Sequence, residues 1–115
     1  MEKELADYIS IYCHEFYNEK ERKANDHYFG RLKYGHLPGD APEPFRKLKE
    51  RMITDDPEVI QLLESGYAQF MQNTAERIYR DHKSELKLNL CPKCHQIART
   101  PKAKQCRFCG HDWHS

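Results

Sequence analysis

Residues 91–109 read Cys91-Pro92-Lys93-Cys94-His95-Gln96-Ile97-Ala98-Arg99-Thr100-Pro101-Lys102-Ala103-Lys104-Gln105-Cys106-Arg107-Phe108-Cys109. The stretch opens and closes on a Cys-x-x-Cys pair, with 11 residues between the pairs. Each pair curls into a tight turn that offers two sulfurs to one ion. Together they predict a tetrahedral cage of Cys91, Cys94, Cys106 and Cys109, the closed structural site that zinc prefers. Iron in a rubredoxin-like cage uses the same four thiolates, so ligand type alone leaves that alternative open. A catalytic zinc is disfavoured, because four thiolates leave no position for water. A disulfide framework fits poorly, since the chain has five cysteines, an odd number.

The residues beside the sulfurs suit such turns. Pro92 pre-sets φ after the first cysteine, and Gly110 follows the second pair where a positive φ is required. His95 stands at the equivalent place after the first pair; histidine tolerates the left-handed region at a higher cost than glycine.

On these residues the tail resembles the short zinc ribbons, in which two cysteine knuckles are joined by a small hairpin. The phrase Pro101-Lys102-Ala103-Lys104 before the second knuckle belongs to that likeness, which covers residues 88–114. Ala98-Arg99-Thr100-Pro101-Lys102-Ala103 is also similar to the tails of small bacterial zinc-ribbon proteins, a likeness that implies no role. About 27 residues bury too little surface to fold alone, whereas a structural zinc site supplies roughly 10–16 kcal/mol of apparent binding energy. One Zn2+ is therefore expected to act as the core of the tail. Leu86, Leu88 and Leu90 alternate with polar neighbours and predict a strand over 86–90, with Ile97, Phe108 and Trp113 completing a small apolar layer.

Upstream the pattern changes to helical period. Leu5, Tyr8, Ile9, Tyr12 and Phe16 recur at steps of three and four and predict a helix over 3–28. Three prolines and two glycines within 35–44 predict a loop. A short helix is expected over 43–52, with Phe45, Leu48 and Met52 on one side. Asp56-Pro57-Glu58 provides a cap, a proline at the first helical position and an acid in the first turn, opening a helix over 57–82. Gly66 inside that span costs about 1 kcal/mol relative to alanine and suggests a close crossing by another element. The expected fold is mainly α with a small β zinc ribbon: a body of two long helices and one short helix over 1–84, then a rubredoxin-like pair of knuckles over 85–115. Tyr8, Tyr12, Phe16, Tyr67 and Phe70 are expected to form the core, with part of their stripe available as a partner or dimer face.

Composition narrows the function. The chain is 115 residues long, 38% hydrophobic and 32% charged, with no apolar run long enough to span a bilayer and a start that lacks the features of a signal peptide. This predicts a cytoplasmic protein without membrane contact. Residues 1–84 carry 13 Lys/Arg against 16 Asp/Glu, and residues 85–115 carry six against two. Four thiolates around a divalent ion subtract two charges from the tail, so nucleic-acid binding must rest on local clustering.

No catalytic pattern emerges. In His14-Glu15-Phe16-Tyr17-Asn18 an asparagine stands where a zincin helix needs its second histidine. No glutamate has a histidine three residues on, and neither a phosphate loop nor a nucleophile elbow is present. Cys13 is expected to be an inert thiol, and His111 and His114 surface residues beside an already complete cage. Arg77 and Arg80 near a helix C-terminus need no ligand to explain them. An enzyme assembled from scattered residues such as His27, His36, Glu15 and Tyr12 is the least favoured class. The leading expectation is a non-enzymatic, intracellular zinc-binding module that acts on a protein partner or a second copy, with no small-molecule substrate. The alternative is nucleic-acid binding through Lys93, Arg99, Lys102, Lys104 and Arg107.

Overall fold

A computed structural model describes residues 1–114; Ser115, the end of the expected tail, lies outside the described residues. The chain is mainly helical. Five α-helices follow in order: α1 (Lys3–Tyr12), α2 (Glu19–Tyr34), α3 (Glu43–Met52), α4 (Pro57–Gln61) and α5 (Tyr67–His82). Short 3-10 turns cover His14–Phe16 and Lys83–Glu85. No described helix is long and apolar enough to cross a membrane.

The single helix expected over 3–28 is two helices. Cys13 leaves helical geometry at φ −118° and ψ 41°, and Asn18 then starts α2 with a reciprocal cap. The Glu21 amide donates to Asn18 Oδ1 at 2.8 Å, and the Asn18 amide donates to Glu21 Oε1 at 2.9 Å. Two otherwise orphaned donors are thereby satisfied, which fixes the break better than a continuous helix would. The helix expected over 57–82 is also interrupted. Leu63, Glu64 and Gly66 donate to carbonyls three residues back, and Gly66 adopts φ +94° before α5 begins. Nothing lies within 4 Å of the Cβ position at Gly66, so its role is the left-handed turn and not the close crossing expected.

The chain forms two compact units, Tyr17–Phe70 and the combination of Met1–Phe16 with Met71–Ser115. In the first unit α2 packs against α3 and α4. The close approach is at Gly30: a Cβ there would lie 2.7 Å from Met52 Cβ and 3.1 Å from Ile53 Cγ1. Gly30 is buried inside α2. His27, also buried, accepts the Thr54 amide at Nδ1 over 3.0 Å and so ties α2 to the connection between α3 and α4. Burial first, and then the Arg31 charge, lower the His27 pKa. The start of α5 brings Tyr67 into a stack with Tyr28, centroids 4.1 Å apart, with Phe29 and Phe70 against it; the Tyr67 hydroxyl donates to Asn25 Oδ1 at 2.6 Å.

In the second unit Ala6, Tyr8 and Ile9 of α1 and Ala75 and Ile78 of α5 are buried with Cys13, Ile97 and Ala98. Arg77 donates to the Phe16 carbonyl at 2.6 Å, closing the 3-10 turn, and also reaches Asp81. The aromatic stripe expected to form one core is thus divided. Tyr8 and Tyr12 pair with each other, Phe16 lies on His82, and Tyr67 and Phe70 belong to the other unit.

Candidate metal centre

The last helix ends in the turn at Lys83–Glu85, after which the backbone runs extended toward Cys91. The expected strand over 86–90 does not form. Among the described residues strand pairing is limited to two isolated antiparallel bridges, Leu90 with Ile97 and Gln105 with Asp112. Each bridge closes one cysteine turn. The apolar layer is also thinner than expected: Ile97 is buried, Trp113 is half-buried, and Phe108 is 46% exposed.

The two turns are built alike, fifteen residues apart. The Cys91 amide donates to the Gln96 carbonyl and the His95 amide to the Cys91 carbonyl; the Cys106 amide donates to the His111 carbonyl and the Gly110 amide to the Cys106 carbonyl. The amides of Lys93 and Cys94 point at Cys91 Sγ, both at 3.4 Å, and those of Phe108 and Cys109 at Cys106 Sγ, at 3.3 and 3.4 Å. His95 has φ +64° and Gly110 φ +77°, as the local sequence predicts. A further matching pair extends the repeat, from Ala98 to the Asn89 carbonyl and from Trp113 to the Lys104 carbonyl, both at 2.8 Å.

These turns bring the four sulfurs together. Cys91 Sγ lies 3.7 Å from Cys109 Sγ, Cys94 Sγ lies 3.4 Å from Cys106 Sγ, and all four lie within 4.8 Å of one another. A tetrahedron with metal–sulfur bonds of about 2.3 Å has edges of about 3.8 Å, so the cluster has the size to hold one ion. The arrangement is consistent with zinc binding. No other such group of His, Cys, Asp or Glu occurs among the described residues.

Electrostatics distinguish the four thiols. The amides of Cys109 and Phe108 hold Cys106 down to about 6. Burial opposes ionisation of Cys91, but the Cys94 and Lys93 amides prevail and lower its pKa. At Cys94 the Gln96 amide favours the thiolate, yet burial and the neighbouring thiols push the group up to about 12. Four thiolates so close together repel, and a divalent cation relieves the conflict by favouring all four charged forms.

One residue that sequence reasoning overlooked supports the whole tail. Asn89 Nδ2 donates to the Thr100 carbonyl at 2.9 Å and to the Ala103 carbonyl at 2.8 Å, so it clamps the loop between the knuckles. An asparagine two residues before the first cysteine is the only signal the sequence offers. The Asn89 backbone also faces the buried Tyr8 of α1, whose pKa is raised chiefly by burial.

The five basic residues expected to contact nucleic acid are all exposed. Arg99, Lys104 and Arg107 line one open groove together with His114, whereas Lys93 and Lys102 lie outside its lining. The scattered residues weighed as catalytic do not gain from the structure. His27 is engaged with Thr54, His36 and Glu15 are exposed, and Tyr12 is 42% exposed. Cys13 is buried, and burial followed by Glu15 raises its pKa, which suits an unreactive thiol. His111 stacks near Trp113, and His114 Nδ1 lies 2.5 Å from Asp112.

Comparison of the chain with protein-family models, with curated proteins and with solved structures finds no match.

Proposed function

We propose that the chain is a non-enzymatic zinc protein in which one structural Zn2+, held by Cys91, Cys94, Cys106 and Cys109, folds the C-terminal tail, and that it works by binding another macromolecule. The observation that carries this reading is the four-sulfur cluster itself, with two amides directed at each of Cys91 and Cys106. Amide donors of this kind stabilise thiolate charge and orient the sulfurs, and four protein ligands complete a zinc coordination shell, which suits a structural ion. A binding role is supported by large side chains left outside the cores. Leu32 and Ile60 are 59% and 41% exposed and line an open cleft of about 800 Å³ between α2 and α4, while Ile11 and Tyr12 are exposed on α1. Exposed apolar groups so placed suit a protein partner.

The test is metal analysis of protein purified without added metal, followed by native pull-down with the ion retained and again with Cys106→Ser. About one equivalent of zinc and a stoichiometric partner lost in the variant are expected. A red, iron-containing protein overturns the zinc assignment, and recovery of no partner of any kind overturns the binding role.

A further inference from the structure

Basic residues on a surface usually need no ligand, so what matters is whether their charge is answered locally. In the tail it is answered only in part, since four thiolates around a divalent ion carry a net charge of about −2 against six cations. Residues 85–115 contain six Lys/Arg and two acids, Glu85 and Asp112. Each acid lies against a histidine: Glu85 is 3.3 Å from His82 and Asp112 is 2.5 Å from His114. None of Lys93, Arg99, Lys102, Lys104 and Arg107 has an acidic partner among the described residues.

Three of these cations share a wall. Arg99, Lys104 and Arg107 line an open groove of about 490 Å³ over the second knuckle, floored in part by Ala103 and Gln105. Beside them stands the exposed ring of Phe108, with the Arg107 guanidinium 5.1 Å from its centroid. Phe108 is 46% exposed, and its amide, not its side chain, serves the cysteine cage. A cationic groove beside a half-exposed aromatic ring is an arrangement that suits single-stranded nucleic acid, in which phosphates follow the charge and an unstacked base covers the open part of the ring. A duplex keeps its bases stacked on each other and can use only the charge.

We propose that the groove of Arg99, Lys104 and Arg107, with Phe108 at its edge, binds single-stranded nucleic acid by phosphate contacts and one base stack. This goes beyond the protein-partner reading above by assigning the tail a ligand of its own, and it takes from that reading only a folded tail. Phe108→Ala removes the stack while leaving the amide that serves Cys106, so it separates the contact from the fold.

The experiment measures fluorescence anisotropy of a labelled mixed-sequence 12-mer, single-stranded and as a duplex, over a salt series. Native mass spectrometry of the same samples confirms the bound ion. With three phosphate contacts the single-strand affinity should fall with salt at a logarithmic slope of about −2. Phe108→Ala should weaken single-strand binding by about tenfold and leave duplex binding unchanged. The double variant Arg99→Glu/Lys104→Glu should abolish both. Metal-loaded protein that binds neither oligonucleotide at low salt overturns the inference and leaves the zinc reading intact. So does equal binding of both forms with no effect of Phe108→Ala. Wild-type protein that carries no metal yet binds as described overturns the zinc reading and keeps the groove.

Discussion

Asn89→Ala tests whether the tail is held by more than its cysteines. The side-chain amide donates to two carbonyls, Thr100 and Ala103, across the loop that joins the knuckles. A hydrogen bond of this kind contributes about 1 kcal/mol net, and both carbonyls are only part-buried, so water replaces some of what is lost. The expected cost is therefore about 2 kcal/mol. With the tail folded by its metal as proposed, that cost would appear as weaker metal affinity, here about thirtyfold. Competition with a chromophoric zinc chelator under reducing conditions reads the change directly, and the metal stoichiometry should stay at one. Asn89→Asp should be worse, since a carboxylate faces two carbonyl oxygens and offers them no proton at neutral pH. Affinity within twofold of wild type for Asn89→Ala, or an aspartate variant that binds as well as the asparagine, would refute the clamp.

Cys106→Ser should lose the ion on dialysis, and with it the near-ultraviolet signal of Trp113, the sole tryptophan, while far-ultraviolet helicity is largely kept. Gly30→Ala gains about 1 kcal/mol in helix propensity but drives a methyl into Met52 Cβ, a backbone-anchored atom that cannot swing aside; overpacking costs about 1–3 kcal/mol, so urea denaturation should show net destabilisation of about 1 kcal/mol. Because the folded-state pKa of His27 is depressed, its contribution to stability is complete above about pH 6.5 and is lost as the pH falls through the lower folded value. The unfolding free energy from urea denaturation should drop over that window with a slope of at most about 1.4 kcal/mol per pH unit, and His27→Gln should flatten it.

The cysteine turns were legible because their geometry is local. Two residues between ligands, a proline after the first sulfur and a residue tolerant of positive φ after each pair are all visible in one line of sequence, and the sulfurs meet as the spacing requires. The strand over 86–90 was not, because alternation of Leu86, Leu88 and Leu90 reports an apolar face and says nothing about a partner long enough to pair with. Helix existence was likewise readable and helix continuity was not. Apolar spacing carries on through Cys13–Asn18, while the break is written in Asn18 and Glu21, a capping signature that competes with the stripe. Gly66 was misread for a related reason: a glycine in sequence looks the same whether it admits a neighbouring helix, as Gly30 does, or makes a left-handed turn. Asn89 was invisible because its two acceptors lie 11 and 14 residues away.

The unit containing the metal centre is drawn from both sides of a contiguous 54-residue segment, Tyr17–Phe70. During synthesis α1 emerges first, and its hydrophobic face must wait for α5 and the cysteine tail, with the whole intervening segment made in between. Closing an unstructured excursion of that length costs about 3.5 kcal/mol in chain entropy beyond a constant, a cost that early ordering of the middle segment reduces. A middle segment that orders by itself would thus lower the entropic cost of bringing together the two flanks that make up the other unit.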